Sequence, residues 1–462
     1  MNIKFFGATR EVTGSCYLIQ VNHKNILLEC GMLQGSKSHE RHNHDPFPFD
    51  VAQLDAVIVS HAHLDHTGRL PMLIKEGYHG NIYTHSATAD LAEIMLVDSG
   101  YIHEKEARWE NKKRERKGLA LIEPLYTTEE ATRTLQYFQG LSYDKELEIC
   151  SGVKLTLRDA GHIIGSAIVE LTLTENGESK KVVFSGDLGH KNAPILRDPF
   201  QVKYADLVIM ESTYGDRLHR SWADTWQEMG DIIAHAKSSK GNILIPAFTV
   251  GRTQELLYEF KQHFDAWQLD DWQIFLDSPM GIKATKVYAK HREVYDKKAT
   301  DVEENHQGIF DLPNLHMSET TEYSMMINQI KSGAIIIAGS GMCTGGRIKH
   351  HFKHNIWRKN AHVIIVGFQA RGTLGRSLVD GTENINLWGE KVQVNAQIHT
   401  IGGFSAHADQ KGLLDWYQGF ENTPPVVLVH GEEEAMSVLA QKLKHQYQAN
   451  VVQASYKQNI II

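Results

Sequence analysis

Three histidines and one aspartate fall within six residues of a single short segment. They are His61, His63, Asp65 and His66, and they follow the apolar run 55–59, which is typical of a buried strand. Imidazole nitrogens and carboxylates are common ligands of transition metals. His61 and His63 are two positions apart, so they can face one ion together from a strand end or tight loop. Asp65 and His66 can then face a second ion. The segment therefore predicts a metal site with donors for a second ion, whereas the alternative of capping and surface polar groups is disfavoured by its density.

Two further motifs place a potential ligand beside glycines where a predicted strand ends. His162 lies in the stretch 159–166, and Asp187 follows Ser185 and Gly186. Each motif alone is equally typical of an ordinary turn, because glycine permits unusual backbone angles in both cases. Together with the first segment, they supply the ligands that two ions need, including one carboxylate that could bridge them.

The elements that must position these residues in the first 210 positions are mostly short apolar strands. Helical patterns are few there, which predicts packed sheets with helices outside. The predicted strands cover 15–21, 25–30, 55–60, 153–157, 167–173, 181–185 and 206–210, and the predicted helices cover 69–76, 86–97 and 128–138.

From residue 214 the pattern changes to helices alternating with buried strands. This alternation is typical of a parallel α/β sheet. The predicted helices are 222–237 and 253–263, and the predicted strands are 242–246, 273–276, 334–338 and 362–366. The tail returns to strands at 391–398 and 426–430, with a helix over 411–419 between them.

Composition is that of an ordinary globular protein. The chain has 462 residues, 42% hydrophobic and 23% charged, which is enough for two or three domains. We see no signal segment and no apolar run long enough to span a membrane. The four cysteines contain no CxxC pair, which argues against a disulfide framework and against a cysteine zinc site. The expected compartment is the cytoplasm.

Charge is distributed unevenly along the chain. The net charge of -8 discourages nucleic-acid binding, yet residues 323–379 contain none of the chain's 56 acidic residues. That gap predicts an anion-binding surface, although a solvated face is the alternative. Its two glycine-rich loops each follow a predicted strand, and the candidate binding residues in them are Arg347, Lys349, Arg371 and Arg376. A second basic run, 105–117, is interleaved with glutamates and is interpreted as a solvated helix.

These motifs in this order resemble a known family. Glu29, the cluster from His61 to His66, His162 and Asp187 are similar to the metallo-β-lactamase fold, and the segments around Glu211, His407 and His430 resemble its beta-CASP nucleases. The resemblance covers essentially the whole chain. It implies an α/β fold, an αββα sandwich with an inserted α/β beta-CASP domain. The implied division is a first lactamase part over 1–210, the beta-CASP domain over 211–395 and a completing lactamase segment over 396–462.

The resemblance also implies a role for each site residue. One Zn²⁺ would be held by His61, His63 and His162, a second by Asp65, His66 and His430, with Asp187 between them and a hydroxide bridging the ions; Mn²⁺ is an alternative metal. Glu211 and His407 would handle the leaving 3′ oxygen, with His407 as general acid and Glu211 orienting it, and Asp65 would be catalytic through the second ion. Outside the family pattern, Glu211 would be a strand-end carboxylate and His407 part of a helix-capping segment. Glu29 stands where the family usually has aspartate, and it is expected to hold the metal loop.

The implied function is a zinc-dependent ribonuclease. Histidine at position 430 is typical of family members that act on RNA, whereas valine is typical of those that act on DNA. We expect internal cuts that leave 3′-hydroxyl and 5′-phosphate ends, with RNA held by the glycine-rich loops. The alternatives are a 5′-3′ exoribonuclease, a small-ester hydrolase on the same fold and a non-catalytic RNA-binding subunit. RNA is the expected partner, no membrane association is expected, and a homodimer is left open.

Overall fold

The computed structural model describes residues 1–305 and 308–462. The chain forms two compact units. The first unit comprises Met1–Lys191, Arg197–Leu218 and His407–Ile462, and the second comprises Asn192–Leu196 and His219–Ala406. The second unit is thus inserted into the first along the chain. The domain bounds at 210 and 395 that the sequence suggests stay a prediction.

The first unit contains two seven-stranded sheets. In spatial order, the first sheet consists of Asn459–Ile461, Asn2–Phe5, Tyr17–Val21, Lys24–Leu28, Ala56–Ile58, Ile82–His85 and Phe138–Leu141. The second consists of Val451–Gln453, Val426–Val429, Leu207–Glu211, Glu178–Phe184, Ala167–Glu175, Val153–Asp159 and Leu147–Cys150. The strand Asn459–Ile461 pairs with Asn2–Phe5 in the first sheet, and Val426–Val429 pairs with Leu207–Glu211 in the second, so the tail completes both sheets.

The two sheets pack face to face around one apolar core. Ile19 and Ile26 of the first sheet belong to the same buried cluster as Leu155 and Val169 of the second. A separate buried cluster joins the outer face of the second sheet to the two C-terminal helices. The helix Ser86–Arg116 contacts the outermost strands of the first sheet. Helices therefore lie outside both sheets, and the predicted αββα sandwich is confirmed.

The helices of the first unit differ clearly from the predicted ones at two of their ends, and the helices Lys37–Glu40, Leu64–Thr67 and Glu433–Tyr447 have no predicted counterpart. The helices of this unit are Lys37–Glu40, Leu64–Thr67, Leu70–Lys75, Ser86–Arg116, Thr128–Thr134, Gln410–Gln418 and Glu433–Tyr447. The second predicted helix, 86–97, continues to Arg116, because residues 98–116 are rich in strong helix formers although they lack apolar periodicity. The predicted helix 128–138 is too long, since Phe138 already begins a strand that pairs with Ile82.

The second unit is built on a six-stranded parallel sheet. Its order is Leu315–Met317, Gln273–Leu276, Ala334–Ala338, Ile243–Pro246, His362–Ile365 and Gln397–Thr400. The helices are Trp222–Ser239, Arg252–Gln262, Pro279–Lys290, Lys297–Glu304, Thr321–Ile327, Ile348–Asn355 and Leu374–Val379. The prediction of one strand over 391–398 is wrong, because Glu390–Gln393 forms a hairpin with Asn384–Leu387 and only Gln397 onward joins the parallel sheet. Within 1–305 and 308–462, no helix has both the length and the apolar character of a membrane span.

Candidate metal centre

The predicted ligands lie in loops that directly follow strands of the sandwich. His61 and His63 follow the buried strand Ala56–Ile58, and the short helix Leu64–Thr67 then carries Asp65 and His66. The other three ligands share this placement at the carboxyl ends of strands: His162 follows Val153–Asp159, Asp187 follows Glu178–Phe184, and His430 follows Val426–Val429. Four strands from both sheets thus deliver their ligands to one place within the first unit.

Three histidines form the first cluster. The Nε2 atom of His61 lies 3.1 Å from Nδ1 of His63, and Nε2 of His162 lies 3.2 Å from the same Nδ1 atom. In a tetrahedral zinc site with Zn–N bonds near 2.05 Å, neighbouring ligand nitrogens are separated by roughly 3.3 Å. These two distances are therefore close to those expected between nitrogens that bind the same metal ion.

Two histidines and an aspartate form the second cluster. The Nε2 atoms of His66 and His430 are 3.2 Å apart, and Oδ2 of Asp65 lies 3.4 Å from Nε2 of His430. Oδ2 of Asp65 is also 3.9 Å from Nε2 of His66. The sequence separates His430 from His66 by most of the chain, and the folding of the tail onto the second sheet brings them together.

Asp187 lies between the two clusters. Its Oδ2 atom is 3.3 Å from Nε2 of His61, 3.6 Å from Nε2 of His162 and 3.4 Å from Nε2 of His66. The side chain is buried, and within the described residues its Oδ1 atom accepts no hydrogen bond. A buried carboxylate oxygen without a donor is costly unless a cation approaches it. Asp187 therefore has the position expected of a carboxylate shared by two ions.

The electrostatics of the centre also suit cations. Burial alone would raise the pKa of Asp187, yet the charges on His430, His66 and His61 hold it well below its usual range. Burial lowers the pKa of His61 well below its usual value, and the positive charge on His66 adds to this effect. An ionised carboxylate and a neutral imidazole are the forms that bind metal. These residues fit a metal cofactor.

His66 shows how strongly the site stabilises positive charge. Burial should favour the neutral ring, but the carboxylates of Asp187, Glu29 and Asp65 outweigh burial and raise the pKa of His66 well above its usual value. A bound cation would supply, in place of the proton on His66, the positive charge that these carboxylates stabilise. The donor set and the surrounding negative charge therefore agree on metal binding.

Glu29 connects both clusters from behind. Its carboxylate accepts a hydrogen bond from the backbone N–H of Ser60 at 2.6 Å and another from the Ser60 hydroxyl at 2.9 Å, and it also contacts Nδ1 of His66. The Ser60 hydroxyl in turn lies 3.0 Å from Nδ1 of His61. Fixing Nδ1 of a histidine directs its Nε2 atom to the metal. Glu29 is thus placed to orient one histidine of each cluster.

Two residues of the centre have left-handed backbone conformations. Glu29 has φ of 66° and His430 has φ of 49°. This conformation costs a non-glycine residue on the order of 1 kcal/mol or more. Strain of this kind persists where the surrounding structure demands a particular side-chain direction. Thr213 adds to the restraint, since its hydroxyl lies 3.0 Å from Nδ1 of His430.

Shortening Glu29 is expected to weaken metal binding. In Glu29→Asp, the carboxylate retreats by about 1.5 Å, so it cannot reach Ser60 and His66 together. We expect the dissociation constant for Zn²⁺ to rise by about 10- to 100-fold in a chelator-competition titration. Glu170→Asp is the matched control, because Glu170 is also buried in the first unit but pairs with Arg158 and Lys181. Equal Zn²⁺ affinity in both variants would contradict the role of Glu29.

Glu211 and His407 form a pair beside the clusters. Nδ1 of His407 lies 3.1 Å from Oε2 of Glu211, while Oε1 of Glu211 accepts a hydrogen bond from the N–H of Leu188 at 2.6 Å. The ring of His407 lies 4.5 Å from that of His162, measured between centroids, with the two planes tilted by 47°, and its Nδ1 atom is 3.9 Å from Oδ2 of Asp187. Burial favours the neutral ring of His407, but Glu211 and Asp187 outweigh burial and raise its pKa to about 9. Glu211 is fully buried, whereas His407 keeps partial exposure.

The capping role suggested as an alternative belongs to a neighbouring residue. Asp409 accepts a hydrogen bond from the N–H of Gly412 at 2.8 Å and begins the helix Gln410–Gln418. His407 lies ahead of that cap and contacts Glu211. The alternative of a plain strand-end carboxylate does not account for Glu211 either, since both of its oxygens are engaged.

The candidate RNA-binding residues lie in the second unit. Arg347 and Arg371 lie in the loops after Ala334–Ala338 and His362–Ile365, whereas Lys349 and Arg376 lie in the helices that follow these loops. Both strands are parallel to Ile243–Pro246 and therefore end at the same sheet edge. The loops contact each other, since Gln369 donates to the carbonyl of Gly341 at 2.9 Å. The structure thus brings these two loops together, as their shared position after parallel strands suggests.

Cations of the acid-free segment differ in how far they are neutralised. Arg347 donates to Asp277 at 2.6 Å, and Arg376 contacts Asp380 at 2.6 Å. Lys349 lies 5.1 Å above the ring of Trp388. Arg371 is exposed and has no ion pair with any residue in the part of the chain that the structure describes. Acids outside the stretch, the distant Asp277 and the adjacent Asp380, therefore pair with cations inside it.

Sequence reasoning did not assign roles to the hydroxyls that orient the ligands. Ser60 directly precedes His61, so its position beside a metal loop is the signal that could have suggested a role. Thr213 has a weaker signal, because its partner His430 is 217 residues away. Serine and threonine are common in loops, and their type alone does not distinguish a ligand-orienting hydroxyl from an ordinary turn.

Three family models match the chain. The "Metallo-beta-lactamase superfamily" model matches residues 9–247, the "Beta-Casp domain" model matches 253–378, and the "Zn-dependent metallo-hydrolase RNA specificity domain" model matches 391–454. The resemblance inferred from the motifs is thereby confirmed. The last of these matches contains His407 and His430.

Known proteins match over nearly the whole chain. Ribonuclease TTHA0252 of Thermus thermophilus is 39% identical over 96% of this chain and 96% of its own length. Transcription termination factor FttA of Methanocaldococcus jannaschii is 30% identical over 94% of this chain and 67% of its own length. A crystal structure of a protein of unknown function from Enterococcus faecalis matches 100% of this chain and 99% of its own with a TM-score of 0.56 and 12% identity, which supports the fold alone. The chain belongs to the metallo-beta-lactamase superfamily, among the members that carry a Beta-Casp domain.

Proposed function

We propose that this protein is a ribonuclease that holds two Zn²⁺ ions and hydrolyses RNA phosphodiester bonds internally, leaving 3′-hydroxyl and 5′-phosphate ends. The observation that carries this proposal is Asp187, which lies between two clusters of metal-ligating side chains. The Glu211–His407 pair beside it supplies a proton-transfer group next to the ions. The name of the Thermus thermophilus relative supports the same activity.

The residues assigned to the metals are those of the two clusters. His61, His63 and His162 would hold one ion, Asp65, His66 and His430 the other, and Asp187 would contact both. Bound ions would activate a water molecule and neutralise charge on the phosphodiester. The description of the model that matches 391–454 supports zinc, and the donor set also accepts Mn²⁺.

The role of His407 is to protonate the departing oxygen. Hydrolysis that leaves a 3′-hydroxyl requires a proton on O3′ as the P–O bond breaks. Nδ1 of His407 is engaged with Glu211, so Nε2 is the atom that can deliver this proton. The N–H of Leu188 anchors Oε1 of Glu211, so the carboxylate can fix the ring of His407 through Oε2, and its negative charge stabilises the positive charge of the ring. Glu211 therefore acts as a positioning residue for His407.

RNA is the proposed substrate on two grounds. The model that matches the tail is described as an RNA specificity domain, and it contains the predicted ligand His430. The acid-free segment adds cations on one edge of the parallel sheet. A ribonuclease needs backbone contacts that do not depend on sequence, and exposed arginine and lysine side chains provide them.

Removing two cations from the loop edge is expected to weaken RNA binding. We choose Lys349→Ala with Arg371→Ala, because Arg347 and Arg376 are paired with acids. Losing two phosphate contacts should lower the slope of log affinity against log salt by about 1.4 in filter-binding titrations. The matched control is Lys331→Ala with Lys359→Ala, which removes two exposed cations that precede strands of the same sheet and thus lie at its opposite edge. Equal slopes for both double variants would contradict RNA binding by this edge.

One assay separates the candidate activities. Internally labelled linear RNA, circular RNA and duplex DNA are incubated with zinc-loaded protein and with its Asp65→Ala and His407→Ala variants. Cleavage of the circle requires internal cutting, since a circle has no end. Products that an RNA ligase rejoins carry the expected 5′-phosphate and 3′-hydroxyl ends.

The other outcomes of this assay contradict the proposal in distinguishable ways. Degradation of linear RNA with the circle left intact would indicate a 5′-3′ exoribonuclease. Binding of RNA without cleavage by fully metal-loaded protein would indicate an RNA-binding subunit. Cleavage that persists undiminished in both variants would show that another nuclease is present in the preparation.

A further inference from the structure

The helix Ser86–Arg116, called the long helix below, extends its C-terminal half into solvent. Ala107 is the one residue of 101–117 that is buried. The base of this half is fixed, because Tyr126 donates to Ser99 and packs against His103. Its end is also fixed: Asn111 exchanges two hydrogen bonds of 2.9 Å with the backbone of Ile122. The projecting half is thus an ordered part of the first unit.

The charges of the long helix are interleaved in sequence but separated on its surface. At 3.6 residues per turn, six residues fall within a sector of about 100°, opposite the buried Ala107. We call them the basic stripe: Tyr101, Lys105, Arg108, Trp109, Lys112 and Arg116. Glu106, Glu110 and Glu115 lie outside this sector. The interpretation of 105–117 as a merely solvated helix therefore misses a face with four cations and no acid.

The cations of the basic stripe have not been neutralised by the rest of the protein. In the described residues, Lys105, Arg108, Lys112 and Arg116 take part in no ion pair and no side-chain hydrogen bond. The aromatic residues among them are also exposed, Tyr101 to 51% and Trp109 to 59%, and Lys113 lies 3.1 Å from the centroid of the Trp109 ring, over one of its two faces. Exposed aromatic rings between unpaired cations are the combination that binds single-stranded nucleic acid, by stacking and by phosphate contacts.

The basic stripe is connected to the metal centre by the long helix itself. In its first turn, the hydroxyl of Thr88 donates to the carbonyl of Gly165 at 2.7 Å, in the loop that carries His162. Arg108 lies twenty residues further along the same helix, which corresponds to about 30 Å. A strand cut at the metal centre can reach the stripe only if it continues well beyond the scissile bond.

We propose that the basic stripe of the long helix is a second binding surface for single-stranded RNA, which binds the substrate well beyond the scissile bond and makes cleavage depend on RNA length. The inference rests on the proposed ribonuclease function. Charge complementarity selects RNA over a protein partner, because four unpaired cations without an acid stand out on a chain of net charge -8.

The test compares RNA of two lengths. The stripe variant combines Arg108→Gln, Lys112→Gln and Arg116→Gln. In this variant we expect KM for an unstructured RNA of ~40 nucleotides to rise about tenfold and KM for an RNA of ~6 nucleotides to stay unchanged. The salt slope for binding the longer RNA should fall by about 2. Trp109→Ala should also raise KM for the longer RNA alone. Glutamine preserves helix propensity, and none of these side chains is buried.

The matched control carries Lys145→Gln, Lys203→Gln and Lys444→Gln. These exposed lysines of the first unit also have no ion pair in the described residues, so the change of net charge is equal. Equal effects of the two triple variants, or equal effects on long and short RNA, overturn the proposal. The proposal is also overturned if the stripe variant changes only the molecular mass measured by light scattering. That result would indicate that the surface binds a second copy of this chain.

Binding measurements keep this test separate from the proposed function. Filter binding of the longer RNA to zinc-loaded protein with the His407→Ala substitution needs no cleavage. If the wild type cuts neither RNA, the proposed function fails, and the stripe is still judged by whether its triple variant binds the longer RNA more weakly than the control variant. Equal affinity in that comparison overturns the inference.

Discussion

Replacing Asp187 with asparagine is expected to lower kcat/KM for RNA by about four orders of magnitude. The substitution keeps the shape of the side chain and removes its charge. Oδ2 of Asp187 lies within 3.6 Å of nitrogens from both clusters, so Asp187 would contact both of the proposed ions. Metal content measured on the dialysed variant should fall well below that of the wild type.

Asp206→Asn provides the control for this experiment. Asp206 precedes the strand Leu207–Glu211, and its carboxylate accepts a hydrogen bond from the N–H of Lys181 at 2.7 Å. It thus lies at the opposite end of the same two parallel strands from Asp187. The control should keep its metal and its activity. If Asp187→Asn retained full metal content and full activity, the assignment of Asp187 as a shared ligand would be wrong.

The candidate ligands could be picked out from sequence because their residue types are rare and their neighbours informative, and their role as ligands stays a prediction. His61, His63, Asp65 and His66 lie close together in sequence, and all four come after the end of one strand, Ala56–Ile58. His430 is different, since nothing local relates it to the cluster, and only the family resemblance assigned it to the metal. In the structure it joins the site because Val426–Val429 pairs with Leu207–Glu211 in the second sheet.

Contacts between residues that are distant in sequence could not be predicted from the sequence. The pairing of Thr213 with His430 and of Asp277 with Arg347 depends on tertiary folding, and hydroxyls and carboxylates are too common for their types to reveal it. The same limitation applies to charge. A stretch without acids, 323–379, receives acids from elsewhere, whereas the mixed run 105–117 separates its charges once helical rotation is taken into account.

The local errors of secondary structure have a related origin. The long helix was predicted to end at residue 97 because apolar periodicity stops there, yet helix propensity and the contacts at its end carry it to Arg116. In 391–398, apolar alternation suggested one strand. In the structure, Glu390–Gln393 belongs to a hairpin and Gln397–Thr400 belongs to the parallel sheet. The one apolar pattern therefore covers strands of two different sheets.

Replacing His407 with alanine is expected to lower kcat for RNA by about 10²- to 10⁴-fold while metal content and KM stay near those of the wild type. His407 contacts Glu211 and its ring lies beside that of His162, but it belongs to neither candidate metal cluster. Its loss would therefore remove the proposed proton donor and leave the proposed ligands in place. Glu211→Gln should cause a smaller loss, since it weakens the positioning of the ring without removing it.

The identity of the leaving group decides whether His407 acts as a general acid. O3′ of a ribose needs a proton as it departs, whereas p-nitrophenolate is stable without one. His407→Ala should therefore hydrolyse bis(p-nitrophenyl) phosphate nearly as fast as the wild type although it has lost RNA cleavage. The exposed His79, changed to alanine, is the matched control and should leave both reactions intact. Equal losses on both substrates in His407→Ala would show that the residue serves the metal centre as a whole and does not donate the proton.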